Sequence, residues 1–327
     1  MTQLQKKQYS PVYLLYGMEA YFIDKITDYI SENILTEAEK GFNQSVFYGR
    51  DITISQILET AKRYPMMSEK QVVIIREAQD LKGVEELESY MANPVESTVL
   101  VLAYKYKKPD GRKKWLKEAK KNGVVFDSKP IYENQMEAWV SAYVRQRERE
   151  ITPKATMLIC DYIGTNLSLA SNEIDKLFIT INEGETVDDE AVSRIIGINK
   201  DYNNFELTKS IGAKDHIKAM RIANYFSHNQ KEHPLVVSVG ILGRYFTQIM
   251  LLHFSPGISQ NEAARMLGVN PFFVKEYFTA KANVSGAAAA KNIELIRQYD
   301  LKSKGVNSGT TPNGELIKEL VFKLLRN

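Results

Sequence analysis

The chain has 327 residues, 44% hydrophobic and 25% charged, an ordinary balance for a soluble globular protein but too long for one compact core, so two or three domains are expected. Its 43 Lys and Arg against 40 Asp and Glu leave a net charge of +3, which excludes a global pull toward nucleic acid and confines any basic surface to local patches. The single cysteine, Cys160, excludes an internal disulfide framework and fits a reducing compartment.

Residues 10–128 alternate strand and helix signals. Pro11–Tyr16 is an apolar run that reads as a buried strand, and Gly17 stands where that strand should turn into a helix. Ala20–Leu35 suits an amphipathic helix with Tyr21, Ile26, Tyr29 and Ile30 available for burial. Ser45–Tyr48 is a short strand. Ile54, Ile57, Leu58 and Ala61 form a helical stripe at i, i+3, i+4 and i+7. Gln71–Ile75, Thr98–Leu102 and Gly123–Phe126 are further β-branched or apolar runs. Continuous apolar strands separated by helices predict a mostly parallel sheet covered on both faces.

After Pro130 the strand signals stop. Glu133–Glu150, Pro153–Ile163, Leu169–Ile181 and Asp188–Ile196 read as helices of a small bundle, with Thr152 capping a helix that has proline at its first position and Thr186 opening the last. Longer helices follow: Phe205–Ile211, Asp215–Asn229, Leu235–Phe254, a pair across 259–281, Ser285–Leu301 and Gly314–Leu325. Gly305–Gly314 is a loop. No uninterrupted apolar run of about 18 residues is present, and Met1–Lys7 lacks a signal-peptide core, so the chain reads as cytoplasmic.

The turn Gly17-Met18-Glu19-Ala20-Tyr21-Phe22-Ile23-Asp24-Lys25 sits where an α/β nucleotide-binding domain carries its phosphate loop. A P-loop needs two glycines, then Lys and a hydroxyl residue, so that backbone N–H groups can cradle phosphate. This turn has one glycine, two bulky aromatics and an acid. His216, His228, His233 and His253 lack metal-like spacing, and Cys160 has no nearby histidine to activate it. Asp188 and Asp189 suit the first turn of a helix, where the macrodipole favours them. No catalytic constellation, metal site or cofactor site is read from the sequence.

A basic stretch runs from Lys105 to Lys121, with Tyr104, Tyr106 and Trp115 interleaved. It reads either as a phosphate-gripping surface or as a solvated edge of the sheet. Within it Lys107, Lys108, Arg112 and Lys113, and farther on Lys302 and Lys304, are the candidates for DNA contact. Arg145–Glu150 mixes signs and reads as a solvated helix end. Residues 259–274 have the small residue, turn glycine and apolar residue of a helix-turn-helix at Ala264, Gly268 and Val274. Its second helix opens with Pro271-Phe272-Phe273, which suits burial better than base readout. In Tyr64-Pro65-Met66-Met67-Ser68 the proline ends a helix, and two adjacent methionines occupy a short helix-to-strand connection. Either one of them caps the local core, or both are offered to a partner's apolar pocket.

Taken in order, several of these segments resemble the delta subunit family of the bacterial DNA polymerase III clamp loader. The resemblance rests on Tyr13–Gly17 with Glu19, Phe47–Asp51, Pro65-Met66-Met67 before Lys70–Ile75, Gly164–Leu167 with Asn172–Leu177, Asn204–Leu207, Asn270–Lys275 and Asp300–Lys304. It implies an AAA+-like α/β domain that is P-loop NTPase-like but degenerate (residues 1–129), an all-α lid (130–200) and an all-α collar (201–327). It also implies a ring formed with the loader's ATPase subunits and delta-prime around primer-template DNA. Tyr64, Pro65, Met66 and Met67 occupy the place of the family's hydrophobic wedge, which enters a pocket on the sliding clamp. The implied role is clamp opening without intrinsic catalysis or cofactor, in a complex grouped with DNA-directed DNA polymerases. Two other readings stay open at this stage: a divergent ATPase, and a DNA-binding regulator using residues 259–281.

Overall fold

The structure is a computed structural model and describes residues 2–197, 199, 201–306 and 309–327. It divides into two compact units, one ending at Ile131 and one spanning Tyr132–Asn327. The expected domain boundary at Lys200 and part of the expected Gly305–Gly314 loop, Asn307 and Ser308, lie outside the described residues.

In the first unit five strands form one sheet: β1 (Val12–Gly17), β2 (Gln44–Tyr48), β3 (Gln71–Arg76), β4 (Thr98–Lys105) and β5 (Val124–Ser128). Their order is β2-β3-β4-β1-β5, and every pairing between them is parallel. Alternation along the strands explains why two layers of helix are needed. Tyr13, Leu15, Val72, Ile74, Val99 and Val101 enter one cluster. Leu14, Tyr16, Val73, Ile75, Leu100 and Leu102 enter the other. The first face is covered by α1 (Thr2–Gln5) and α2 (Ala20–Asn33), through Leu4, Ile23 and Ile30. The second is covered by α4 (Ile54–Ala61), α5 (Glu88–Ala92) and α6 (Lys114–Asn122), through Ile57, Met91 and Trp115. Between α2 and β2 lies α3 (Glu37–Asn43). This is the parallel sheet covered on both faces that the sequence leads one to expect.

Helices make up the second unit: α7 (Glu133–Arg145), α8 (Pro153–Ile163), α9 (Leu167–Thr180), α10 (Asp189–Ile196), α11 (Asn204–Gly212), α12 (His216–His228), α13 (Leu235–His253), α14 (Gln260–Leu267), α15 (Val274–Asn283), α16 (Gly286–Ser303) and α17 (Asn313–Arg326). Thr152 caps α8 as expected, accepting from Ala155 N. Thr186 does not open α10. Asp188 caps it, accepting from Ala191 N, while Val187 is buried and forms a short parallel bridge with Ile151. The carboxylate complements the helix dipole better than a hydroxyl two residues earlier. α7 ends at Arg145 rather than at residue 150, with Glu148 in a left-handed turn.

α13 is the central helix of this unit. It is long and apolar enough to cross a membrane, though the sequence has no uninterrupted apolar run of that length. Half of its apolar window is buried, and Val239, Leu242, Phe246 and Ile249 pack in the main helical core. The helix-turn-helix-like segment packs beside it through Ala263, Ala264, Leu267 and Val274. Gly268 adopts the left-handed cap. Phe273 is buried as expected, but Phe272 is exposed: the short 3₁₀ turn over Pro271–Phe273 directs adjacent side chains apart.

Asp161 on α8 accepts from the first backbone N–H of α11, at Asn204. Burial pushes its carboxyl up to about 6, against the lowering effect of the Asn204 hydrogen bonds. A folded-state value above the unfolded 3.8 means that the native form holds the proton more tightly. Its contribution to stability is therefore fullest below about pH 4 and is lost as pH rises through 6. Asp161→Asn keeps an acceptor but cannot ionise. Because Asp161 retains some accessible surface, the discounted expectation is a gain of about 1–2 kcal/mol at pH 7.5 and little at pH 4. Thermal midpoints of the two proteins at both pH values check this; equal differences would mean that Asp161 does not titrate there.

Candidate functional site

The connection from α4 to β3 is pinned at its base, tied at its middle and open at its tip. At the base the Gln71 side chain donates to Arg63 O (2.6 Å), Ala61 O (3.3 Å) and Thr98 Oγ1 (2.7 Å), and Thr98 Oγ1 donates to Ala61 O (2.7 Å). Gln71 and Thr98 are both buried. Such a satisfied amide network inside a protein is rigid, because losing one partner would leave a buried polar group unpaired.

At the middle, the buried Asn43 at the end of α3 reads the backbone of Met66 with both ends of its amide. Its Nδ2 donates to Met66 O (2.9 Å), and Met66 N donates to its Oδ1 (2.7 Å). The Glu39 side chain closes the capping box with Thr36, and those bonds, with the Ser68 hydroxyl beside it, hold its carboxyl below the usual range. α3 therefore holds the Met66 backbone and has its Glu39 carboxylate beside Ser68, on either side of Met67.

At the tip, Tyr64 is 87% exposed, Met66 is 61% exposed and Met67 projects fully into solvent. Neither methionine caps the local core. Met67 also holds a left-handed φ of 53°, a conformation that costs a non-glycine residue of order 1 kcal/mol and persists only where the surroundings impose it. Tyr64, Pro65, Met66 and Met67 are thus brought together as one apolar projection.

The turn after β1 is closed by the protein's own backbone. Gly17 has φ 141°, and a Cβ there would lie 2.0 Å from Ser128 O at the end of β5. Tyr106 N donates to Gly17 O (2.8 Å). Glu19 Oε1 accepts from Tyr21 N (3.0 Å), so a carboxylate of the chain itself occupies the N-terminus of α2, where a nucleotide-binding fold would place phosphate. Beside it the strand ends carry an internally paired set of charges. Lys105 bridges Asp24 (2.7 Å) and Glu77 (3.0 Å), and Arg76 pairs with Asp28 (2.6 Å). Burial alone would lower the Lys105 pKa, but the two carboxylates outweigh it and leave it raised. A cleft of about 550 Å³ near these groups is lined by Tyr48, Arg50, Tyr106 and Lys107, with Arg50 paired to Asp80 (2.7 Å). Titration of Mg-ATP into the chain is expected to give no saturable heat. A saturable isotherm would restore the divergent ATPase.

The basic stretch does not form one face. Trp115 is in the core and Lys105 is committed to its two acids. Lys108 pairs with Asp127 (2.9 Å), Arg112 with Asp110 (2.8 Å) and Lys304 with Asp300 (2.6 Å). Lys302 lies over the Tyr299 ring (4.6 Å), Lys113 stands at the N-cap of α6, and Lys107 borders the cleft. Lys302 and Lys304 belong to the second unit and the other four to the first. Among the histidines, His233 stacks on Phe226 (4.1 Å), with burial lowering its pKa, and His253 Nε2 contacts Val284 O (2.8 Å). Burial pushes the Cys160 thiol far up.

The positioning residues Asn43 and Gln71 were not singled out by sequence reasoning. One signal for α3 was present, the Thr36-x-x-Glu39 capping box. A strand-opening glutamine carries no comparable mark.

Comparison with known proteins gives a consistent set of matches. The family model "DNA polymerase III, delta subunit" matches residues 13–129, and "DNA polymerase III delta subunit, C-terminal domain" matches residues 201–321. DNA polymerase III subunit delta of Bacillus subtilis (strain 168) is 28% identical over 283 residues, covering 83% of this chain and 81% of its own length. The solved Bacillus subtilis DNA clamp loader delta protein aligns over 100% of this chain and 98% of its own at 24% identity with a TM-score of 0.53, a likeness of fold. Two models of one family, meeting the α/β unit and the C-terminal helices in the order that the structure has them, place this chain in the DNA polymerase III delta subunit family.

Proposed function

We propose that this chain is the subunit of a clamp loader that grips the sliding clamp, using the Met66–Met67 projection as a wedge, and opens one interface of the clamp for loading onto primed DNA. The observation that carries the reading is the pair of exposed methionines held in a strained, multiply tied connection. Long, polarizable methionine side chains suit insertion into an apolar pocket, and a pre-formed connection lowers the ordering cost of binding. The resemblance implies that Leu and Phe often stand at this place in the family; the two methionines here keep the apolar character.

The closed turn at Gly17 supports a protein that performs no ATP chemistry itself and is moved by neighbours that do. Those neighbours would be the loader's ATPase subunits and delta-prime, assembled through a collar at 201–327. Residues 130–200 would form the lid, and the complex would work on primer-template DNA in the cytoplasm. Lys107, Lys108, Arg112, Lys113, Lys302 and Lys304 remain the candidates for DNA contact, with Lys107 and Lys113 the two of the first unit for which no carboxylate partner is described. Calorimetry of the full chain against purified sliding clamp tests the reading directly: saturable binding is expected, and no binding would remove it.

A further inference from the structure

The exposed apolar surface does not stop at the two methionines. Phe42, immediately before Asn43 on α3, is 76% exposed, an unusual position for a phenylalanine on a short helix. Its neighbour Asn43 is bonded to Met66 through both ends of its amide, and Glu39, one turn earlier, has Ser68 beside its carboxylate. α3 therefore carries an exposed ring beside the residue that fixes the methionines. The remaining side chains of α3 at Glu37 and Lys40 pair with each other and leave the ring uncovered.

We propose that α3 is part of the clamp-docking surface, with Asn43 as the positioning residue that sets the Met66 backbone and Phe42 as a third apolar contact. This rests on the reading of Met66 and Met67 as the wedge. The occupant is the sliding clamp, because Asn43, the residue after Phe42 on α3, holds the Met66 backbone through two hydrogen bonds and so ties α3 to the proposed wedge. Asn43 acts only through Met66: without its amide, the Met66 N–H and C=O lose their fixed partners and the left-handed turn at Met67 loses its neighbouring tie.

The test measures affinity of the full chain for purified sliding clamp by surface plasmon resonance, for Phe42→Ala, Asn43→Ala and the double variant Met66→Ala/Met67→Ala. Phe42→Ala should weaken binding by about tenfold or more, the range of a central aromatic anchor, with an unchanged thermal midpoint. Asn43→Ala should weaken it by about tenfold through lost pre-organisation. It should also speed hydrogen exchange at the Met66 amide, which now donates to Asn43, while core amides of β3 exchange as before. Were Asn43→Ala to unfold the unit, Phe42→Ala would still decide the role of the surface, since its side chain is largely in solvent. If the double methionine variant loses binding while Phe42→Ala and Asn43→Ala do not, the assignment of α3 is wrong and the wedge stands. If the double methionine variant binds normally, the wedge itself is wrong.

Discussion

Replacing Met66 and Met67 together by alanine is expected to weaken clamp binding by about a hundredfold or more while leaving the fold unchanged. Fully burying two methionine side chains is worth roughly 3–6 kcal/mol before ordering costs, and each 1.4 kcal/mol is tenfold in affinity. In the free chain these side chains contribute almost nothing to stability. Met67 is fully exposed, Met66 is largely so, and the ties of the connection run through the Met66 backbone, which alanine retains. The variant should therefore match the parent in circular dichroism and thermal midpoint, and in assembly with the other loader subunits, while calorimetry against the clamp shows the loss. Unchanged affinity would remove the wedge assignment. A lost midpoint would mean that the methionines support the unit from within, contrary to their exposure.

Much of the fold was legible because its signals are repetitive. Five apolar or β-branched runs became five strands, since a parallel sheet covered on both faces accepts side chains of the same kind in either direction. The stripe Ile54, Ile57, Leu58 and Ala61 became α4. α3 was not legible by the same route. Its sequence Glu-Ala-Glu-Lys-Gly-Phe-Asn has no apolar periodicity, and its one large apolar residue faces solvent. It forms through capping and through bonds to a segment 23 residues away, which no local pattern displays. The methionine pair was found but its environment was not, because adjacent residues in a connection carry no period from which burial can be read. Thr186 was misplaced for a similar reason: the bridge between Ile151 and Val187 is a tertiary contact that moves the start of α10 past the first available cap. The basic stretch looked continuous in sequence, yet Lys105, Lys108 and Arg112 serve nearby acids and Trp115 lies in the core.

Gly17→Ala is expected to destabilise the first unit by about 3 kcal/mol or more, well above the typical surface substitution. The missing phosphate loop drew attention to this turn in the sequence, but what fills it is the backbone of Ser128. A Cβ on Gly17 would meet Ser128 O at 2.0 Å and Ser128 C at 2.7 Å, contacts that only movement of β5 could relieve. The φ of 141° is itself a conformation that L side chains rarely adopt. β5 is held at that edge by its pairing with β1 and by Ser128 Oγ donating to Glu19 O (2.6 Å), so relief would also disturb the start of α2. For a unit of this size a loss of that order lowers the midpoint by roughly 10 °C. Trp115 lies in the core of the first unit and Trp139 in the second, so a Trp139→Phe background makes tryptophan fluorescence report the first unit alone. A midpoint within a degree or two of the parent would show that β5 moves freely and that the turn has room to spare. The expected fall would mark Gly17 as a joint of the sheet: a residue kept for close approach of two strands in a place where other α/β proteins keep glycine for a nucleotide.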